Sequence, residues 1–350
     1  MKLGLIGAGS IAGAHLKAAA QISGAAQVVA LADPNAANLQ RQSARFNIPR
    51  TYADPAELFA APDLEGVILT TPHDTHAPLT LAALRAGKHV LVEKPMACSL
   101  AECDAMNTAA QVADKTLMVA QCQRYDAGHQ ALKQLIASGE LGRLRAARID
   151  VLQNAAAFLP TGHWLYDGKQ AGGGIVISVA VHKLDLLRYL VGDVTRVTAI
   201  CQTTNPAFSN GAEDLALATL EFANGTVGQL FASWSAYRLR YSENMLLFGD
   251  TGAAHALPAT ETHVGPFLVA SQRRSPAAER GWPAQFGGFA PVAPVAGMSA
   301  DSFVNQLAHF AECCRRGTEP LSSGRDNRRT MQVIFAIYES ARTRRPVDVM

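Results

Sequence analysis

The chain has 350 residues, 49% of them hydrophobic and 17% charged, with a formal net charge of +2. That length exceeds one average domain and suits two, and the composition can fill a sizeable core. No long basic run accompanies the small net charge, so nothing points to nucleic acid or a membrane surface as a partner.

The first segment, "MKLGLIGAGSIAGAHLKAAA", has the lysine, apolar run and small residues of a secretion signal. Gly4, Gly7, Gly9 and Gly13 break that run, and Lys17 interrupts the alanine-rich stretch beyond it. No stretch reaches the ~18 apolar residues of a membrane-spanning helix. The segment reads as a strand and a turn. The six cysteines (98, 103, 122, 201, 313 and 314) form no C-x-x-C pair and show no disulfide-like spacing, which suits a reducing, cytoplasmic location.

Short apolar runs then alternate with helical segments. "KLGLI", "QVVALA", "GVILTT", "HVLVE" and "TLMVA" read as buried strands, with helices such as Pro78–Ala86 and Leu100–Ala113 between them. This alternation predicts a doubly wound, parallel α/β sheet. Past Arg124 the rhythm changes to a helix over Gly128–Ser138, a strand over Leu144–Leu152, and a glycine-led helix within Ala171–Gly192. Strands over Val194–Thr203, Leu215–Phe222, Thr226–Ser233 and Glu243–Phe248 come next without helices, which predicts an open, mostly antiparallel sheet. Residues 256–298, rich in Pro, Gly and Ala, read as a long excursion outside the core, and two helices (Ser302–Arg315 and Asp326–Arg342) close the chain. The expected division is a dinucleotide-binding domain over 1–122 and a second α+β domain over 123–350.

Gly7-x-Gly9-x-x-Ala12 comes directly after the first strand and opens the first helix, with Ser10 and Ile11 inside the turn. Glycine there permits a tight turn and lets backbone N–H groups approach a pyrophosphate at a helix N-terminus. The second strand ends at Asp33. A carboxylate at that place accepts hydrogen bonds from ribose hydroxyls and repels a 2′-phosphate, favouring NAD over NADP. Asp33 also suits the cap of the next helix, a compatible role.

"TTPHDTH" puts Thr70, Thr71, Pro72, His73 and His76 at the carboxyl edge of the sheet, where ligands bind in open α/β folds. The two histidines have only Asp74 nearby, so a cap or cofactor-edge role is expected rather than a metal site. "HVLVEKPM" brings Glu93 and Lys94 to the same edge, as an ion pair or a working site. The lysine ammonium suits an oxygen that gains negative charge. In "GGGIVISVAVHKLD", Ser178, His182 and Asp185 share one face of the expected helix, and His182 reads either as a core histidine or as a base.

Together these segments resemble the glucose–fructose oxidoreductase, inositol dehydrogenase and rhizopine-catabolism (Gfo/Idh/MocA) family. The resemblance rests on "GAGSIA", "TTPHDTH", "AGKHVLVEKP", "GGG" with H-x-x-D, "FGDTGAA" and "NQLAHFAECCRRGTEPLSSGRD", and so covers essentially the whole chain. "AGKHVLVEKP" is its most specific segment. The resemblance implies hydride transfer between NAD(P), here NAD by Asp33, and a hydroxyl carbon of a sugar, sugar derivative or inositol-like polyol. It also implies a homodimer or homotetramer formed through the second sheet.

Carried onto this chain, the resemblance makes Lys94 and His182 catalytic, with Glu93 beside the nicotinamide. Asp185 becomes a substrate-contacting carboxylate. Gln123, Arg124, Trp164 and Tyr166 are candidates for the pocket, Gln123 also for the cofactor; plain core packing is the competing role for the two aromatics. Many relatives carry aspartate where this chain has Ser178, which hydrogen-bonds but brings no charge to orient an imidazole. A glycosidase with retained NAD, or a cofactor-binding regulator that turns nothing over, stays open beside the dehydrogenase.

Overall fold

The computed structural model describes residues 1–22, 24–237, 242–256, 267–271 and 290–349. The chain forms two compact units. One joins Met1–Asp126 with Ser299–Met331, and the other joins Ala127–Met298 with Gln332–Met350. The return of residues 299–331 to the first unit differs from a division into two consecutive segments.

The first unit runs β1 (Lys2–Ile6), α1 (Ala12–Gln21), β2 (Gln27–Ala32), α2 (Ala36–Phe46), β3 (Arg50–Tyr52), α3 (Pro55–Phe59) and β4 (Gly66–Leu69). It continues with α4 (His76–Arg85), β5 (His89–Val92), α5 (Leu100–Ala113) and β6 (Leu117–Val119). All its strand pairs are parallel, in the order β3-β2-β1-β4-β5-β6. This is the predicted doubly wound sheet. Val67, Ile68, Leu69, Val90, Leu91 and Val92 are fully buried, as expected of strands covered on both faces. The order reverses between β1 and β4, which creates a crevice at their carboxyl ends.

The second unit holds α6 (Ala127–Ala137), β7 (Leu144–Leu152), α7 (Gly168–Ala171), α8 (Val181–Leu190), β8 (Val194–Gln202), β9 (Leu215–Phe222) and β10 (Val227–Ser233). Then come β11 (Ser242–Gly249), β12 (Gly252–Ala256), β13 (Phe267–Ser271) and β14 (Ala290–Pro291). Helix α9 (Ser302–Arg316) lies in the first unit, against α1. Helix α10 (Gly324–Thr343) passes from the first unit to the second, and β15 (Val347–Asp348) ends the chain.

The second sheet has the order β14-β13-β12-β11-β7-β10-β9-β8-β15. Among the described residues of this sheet, only β7 and β10 pair in parallel. Within the stretch expected to be a long excursion outside the core, β13 and β14 extend this sheet, because their backbone groups complete the ladder begun by β12. Residues 257–266 and 272–289 of that stretch lie outside the described residues. Ile149, Val151, Val197, Leu220, Leu230 and Leu247 make the buried face of the sheet.

A buried ion pair ties α8 to this sheet: Lys183 Nζ lies 2.7 Å from Glu243 Oε2, with both side chains nearly inaccessible. Removing one partner breaks this buried pair. Lys183→Met is expected to cost about 3–5 kcal/mol, whereas replacing both partners with apolar residues costs far less. Urea denaturation checks this: the midpoint falls in Lys183→Met and largely recovers with Glu243→Leu added. An equal loss in both would place the cost elsewhere.

Candidate active site

In the first unit, Gly7 adopts φ +90°, and a Cβ there would meet Thr70 O at 2.6 Å. The loop leaving β1 therefore lies directly on the end of β4. The Thr70 hydroxyl points at the carbonyls of Gly7 (2.6 Å) and Ile6 (3.0 Å). A Cβ on Gly9 would meet nothing within 4 Å, so that backbone faces open space. Helix α1 has no side-chain cap, unlike α2, α3, α5 and α9, whose Asn35, Asp54, Ser99 and Asp301 side chains accept first-turn N–H groups. Ser10 and Ile11 are exposed beside this end. An uncovered helix N-terminus and an accessible glycine backbone fit a pyrophosphate.

Asp33 is buried at the end of β2. Its Oδ2 accepts from Ala8 N (2.6 Å) and its Oδ1 from Asn35 N (2.7 Å). The carboxylate is thus held against the glycine loop, each oxygen with a further lone pair to offer. These residues fit NAD. A 2′-phosphate here would meet the carboxylate's charge.

The carboxyl ends of β4 and β5 are joined by His76, which is wholly buried. Its Nδ1 lies 2.8 Å from Pro95 O and its Nε2 2.9 Å from Thr71 O. Burial pushes this imidazole below its ordinary pKa against the pull of the two carbonyls. His76 therefore sits between the two turns that carry Thr71 and Lys94, with a ring nitrogen at hydrogen-bond distance from each. The Thr75 hydroxyl donates to Thr71 Oγ1 (2.7 Å), and His73 is buried beside it.

Glu93 is buried, and Lys94 after it is partly exposed. Glu93 Oε2 accepts Lys94 N–H (3.1 Å), and Oε1 lies 2.7 Å from His15 Nε2. His15, on the inward face of α1 with Ala12, Leu16 and Ala19, is fully buried, with Phe303 edge-on at 5.1 Å. It links the phosphate-loop helix to the Glu93-Lys94 turn. His15 was not among the expected site residues, although a histidine on an otherwise apolar helix face was the available signal.

Arg124 is nearly inaccessible, donating to Leu321 O (2.8 Å) and paired with Asp326 (2.6 Å). These two contacts tie Arg124 to residues 321 and 326 of the first unit. Gln123 beside it is partly exposed.

In the second unit, His182 is partly exposed, while Ser178 and Asp185 on the same segment are buried. The segment is not α-helical throughout: Val176–Ala180 forms a π-turn before α8. Such turns recur at functional sites. Tyr166 is core: its ring packs edge-on to Phe208 (4.8 Å), which stacks on Trp234 (5.6 Å). Trp164 is partly exposed.

An open α/β sheet with a dinucleotide-fitting glycine loop and an acidic strand end defines an NAD-binding oxidoreductase class. Residues 1–121 match the oxidoreductase family with an NAD-binding Rossmann fold, and residues 129–255 match the GFO/IDH/MocA C-terminal domain. The chain belongs to the Gfo/Idh/MocA family of oxidoreductases. It is 30% identical over 345 residues to the D-apiose dehydrogenase of Paraburkholderia graminis, covering 99% of this chain and 88% of that one. It is 27% identical over 352 residues to the myo-inositol 2-dehydrogenase of Thermotoga maritima, covering 100% and 98%. A solved levoglucosan dehydrogenase in complex with NADH and levoglucosan matches with a TM-score of 0.89 at 26% identity, covering 100% and 99%.

Gly7→Ala would strain a left-handed backbone and press on Thr70 O. NAD affinity is expected to fall roughly tenfold, the equivalent of the ~1–2 kcal/mol cost of that conformation. Titration calorimetry measures it, and an unchanged Kd would remove this loop from the cofactor site.

Proposed function

We propose that the protein is an NAD-dependent dehydrogenase of a sugar, sugar derivative or inositol-like polyol. The observation that carries this is Lys94, partly exposed and held by Glu93 at the carboxyl edge of a sheet whose glycine loop fits NAD. The relatives named for apiose, myo-inositol and levoglucosan support the substrate class.

Bound NAD supplies the hydride acceptor. In the oxidising direction His182 takes the hydroxyl proton, and Lys94 stabilises the negative charge developing on that oxygen. The carbon-bound hydrogen leaves with its electron pair as the C=O bond forms. Asp185 and Trp164 serve the substrate, and Gln123 and Glu93 the cofactor. Ser178 orients without adding charge. The free cysteines suit a reducing, cytoplasmic setting.

A panel of sugars, sugar acids and inositols, screened with NAD and with NADP, identifies the substrate by reduced-cofactor absorbance. Stoichiometric NADH separates a dehydrogenase from a glycosidase that retains its cofactor, and no turnover at all would favour a regulator. On a good substrate, Lys94→Ala is expected to lower kcat by ~10²–10³, the range for losing one electrostatic donor, with NAD binding little changed. His182→Asn should abolish most turnover together with the wild type's loss of activity at acid pH. Wild-type rates in either variant would remove that residue from the chemistry.

We further propose that a second copy covers the exposed face of the nine-stranded sheet. Ile200, Leu217, Val227 and Phe248 are exposed there, and Ile200 sits opposite Leu217 across β8 and β9. Leu217→Arg should lower the mass measured by light scattering; an unchanged mass would exclude this face.

A further inference from the structure

The helix that carries His182 starts in an unusual way. Its first turn offers four N–H groups that no residue of the helix can accept, and no side chain of the preceding segment caps them. They are met from distant parts of the second unit. Glu213, just before β9, accepts Gly174 N–H on Oε2 (2.6 Å) and Val176 N–H on Oε1 (2.8 Å), and its backbone carbonyl accepts Ile175 N–H (2.9 Å). Ile177 N–H goes to the hydroxyl of Tyr338 on α10 (3.2 Å), which donates to Glu213 Oε1 (3.1 Å).

The glycines are what admit these partners. A Cβ on Gly173 would lie 2.2 Å from the Tyr338 hydroxyl, and one on Gly174 1.8 Å from Glu213 O.

We propose that Glu213 and Tyr338 are positioning residues for proton transfer: together they complete the first turn of the His182 helix, and protonation of Glu213 loosens that turn. The functional half rests on His182 being the base. Ionised Glu213 accepts from every donor around it. A protonated carboxyl adds a hydroxyl among groups that are themselves donors, so one hydrogen bond is lost.

The groups facing Glu213 are Tyr338 from α10 and Cys201 from β8, with Arg344 acting on Cys201. None supplies a cation strong enough to offset burial, which pushes Glu213 up to about 7. Because this lies above the ordinary carboxyl value of 4.5, its contribution to stability is fully present below that value and is lost as pH rises toward 7. Opening of the turn alone responds the other way: the Val176 and Gly174 N–H groups lower Glu213, so an opened turn that leaves the carboxyl buried raises it further, and ionisation favours the closed turn even as the buried charge costs global stability.

Amide hydrogen exchange across residues 174–178 tests the device without using activity. In the wild-type protein, protection corrected for intrinsic rate should rise as pH passes through about 7. In Glu213→Gln these amides should exchange about tenfold faster at pH 8, the effect expected for one lost hydrogen bond, and without the pH step. Tyr338→Phe should expose mainly Ile177 and keep the step.

In turnover, Glu213→Gln should lower kcat about tenfold with the Kd for NAD unchanged. Wild-type exchange in a folded Glu213→Gln protein would overturn the positioning role, whatever the activity. Should the exchange match expectation while kcat stays at wild type, the coupling to proton transfer is wrong. If His182→Asn proves fully active, it is the assignment of the base that fails, and the exchange result stands apart from it.

Discussion

Buried irregular backbone has to find hydrogen-bond partners, and this constraint organises the turns of the candidate site. Several of the turns described above sit where strands end or helices begin, so their N–H and C=O groups fall outside any ladder. A set of buried side chains supplies the missing partners. Asp33 takes Ala8 and Asn35, Glu93 takes Lys94, His76 joins Thr71 to Pro95, and Glu213 takes Gly174 and Val176.

This arrangement also explains why carboxylates recur at these places. A carboxylate accepts several N–H groups in different directions and offers no donor that would conflict. Asp214, fully buried next to Glu213, shows the same pattern. It accepts from Thr204 N (2.5 Å) and the Thr204 hydroxyl (2.7 Å) and from Ser235, and these bonds hold it below the ordinary carboxylate value despite burial. Glu213 has a comparable set of donors, yet burial outweighs them. Adjacent acids thus respond to pH in opposite directions.

In the first unit, the two ends of the functional edge are mechanically linked. His15 runs from the phosphate-loop helix to Glu93, and Glu93 holds the backbone of Lys94. His76 ties the same turn to the end of β4, which itself lies against Gly7. The cofactor-fitting loop and the backbone of Lys94 therefore belong to one connected set of contacts.

The amino-acid sequence by itself determined the doubly wound first sheet, its glycine loop and Asp33. Strand and helix periods are local, and the glycine spacing answers a local demand of turn geometry. The sequence also marked "EKP" and H-x-x-D by resemblance, and the second sheet by its run of helix-free strands. Tertiary structure alone decided the rest. Arg124 and Tyr166 look available in sequence, but Asp326, Leu321 and Phe208, distant in the chain, engage them. Glu213 has no local pattern, and His15 shows only as a histidine on an apolar helix face with no sign of its partner, because the groups they engage lie far along the chain. The π-turn at Val176–Ala180 is likewise invisible to periodicity. Spacing along the chain reports which residues can share a face, whereas burial and hydrogen-bond closure depend on what the fold brings against them.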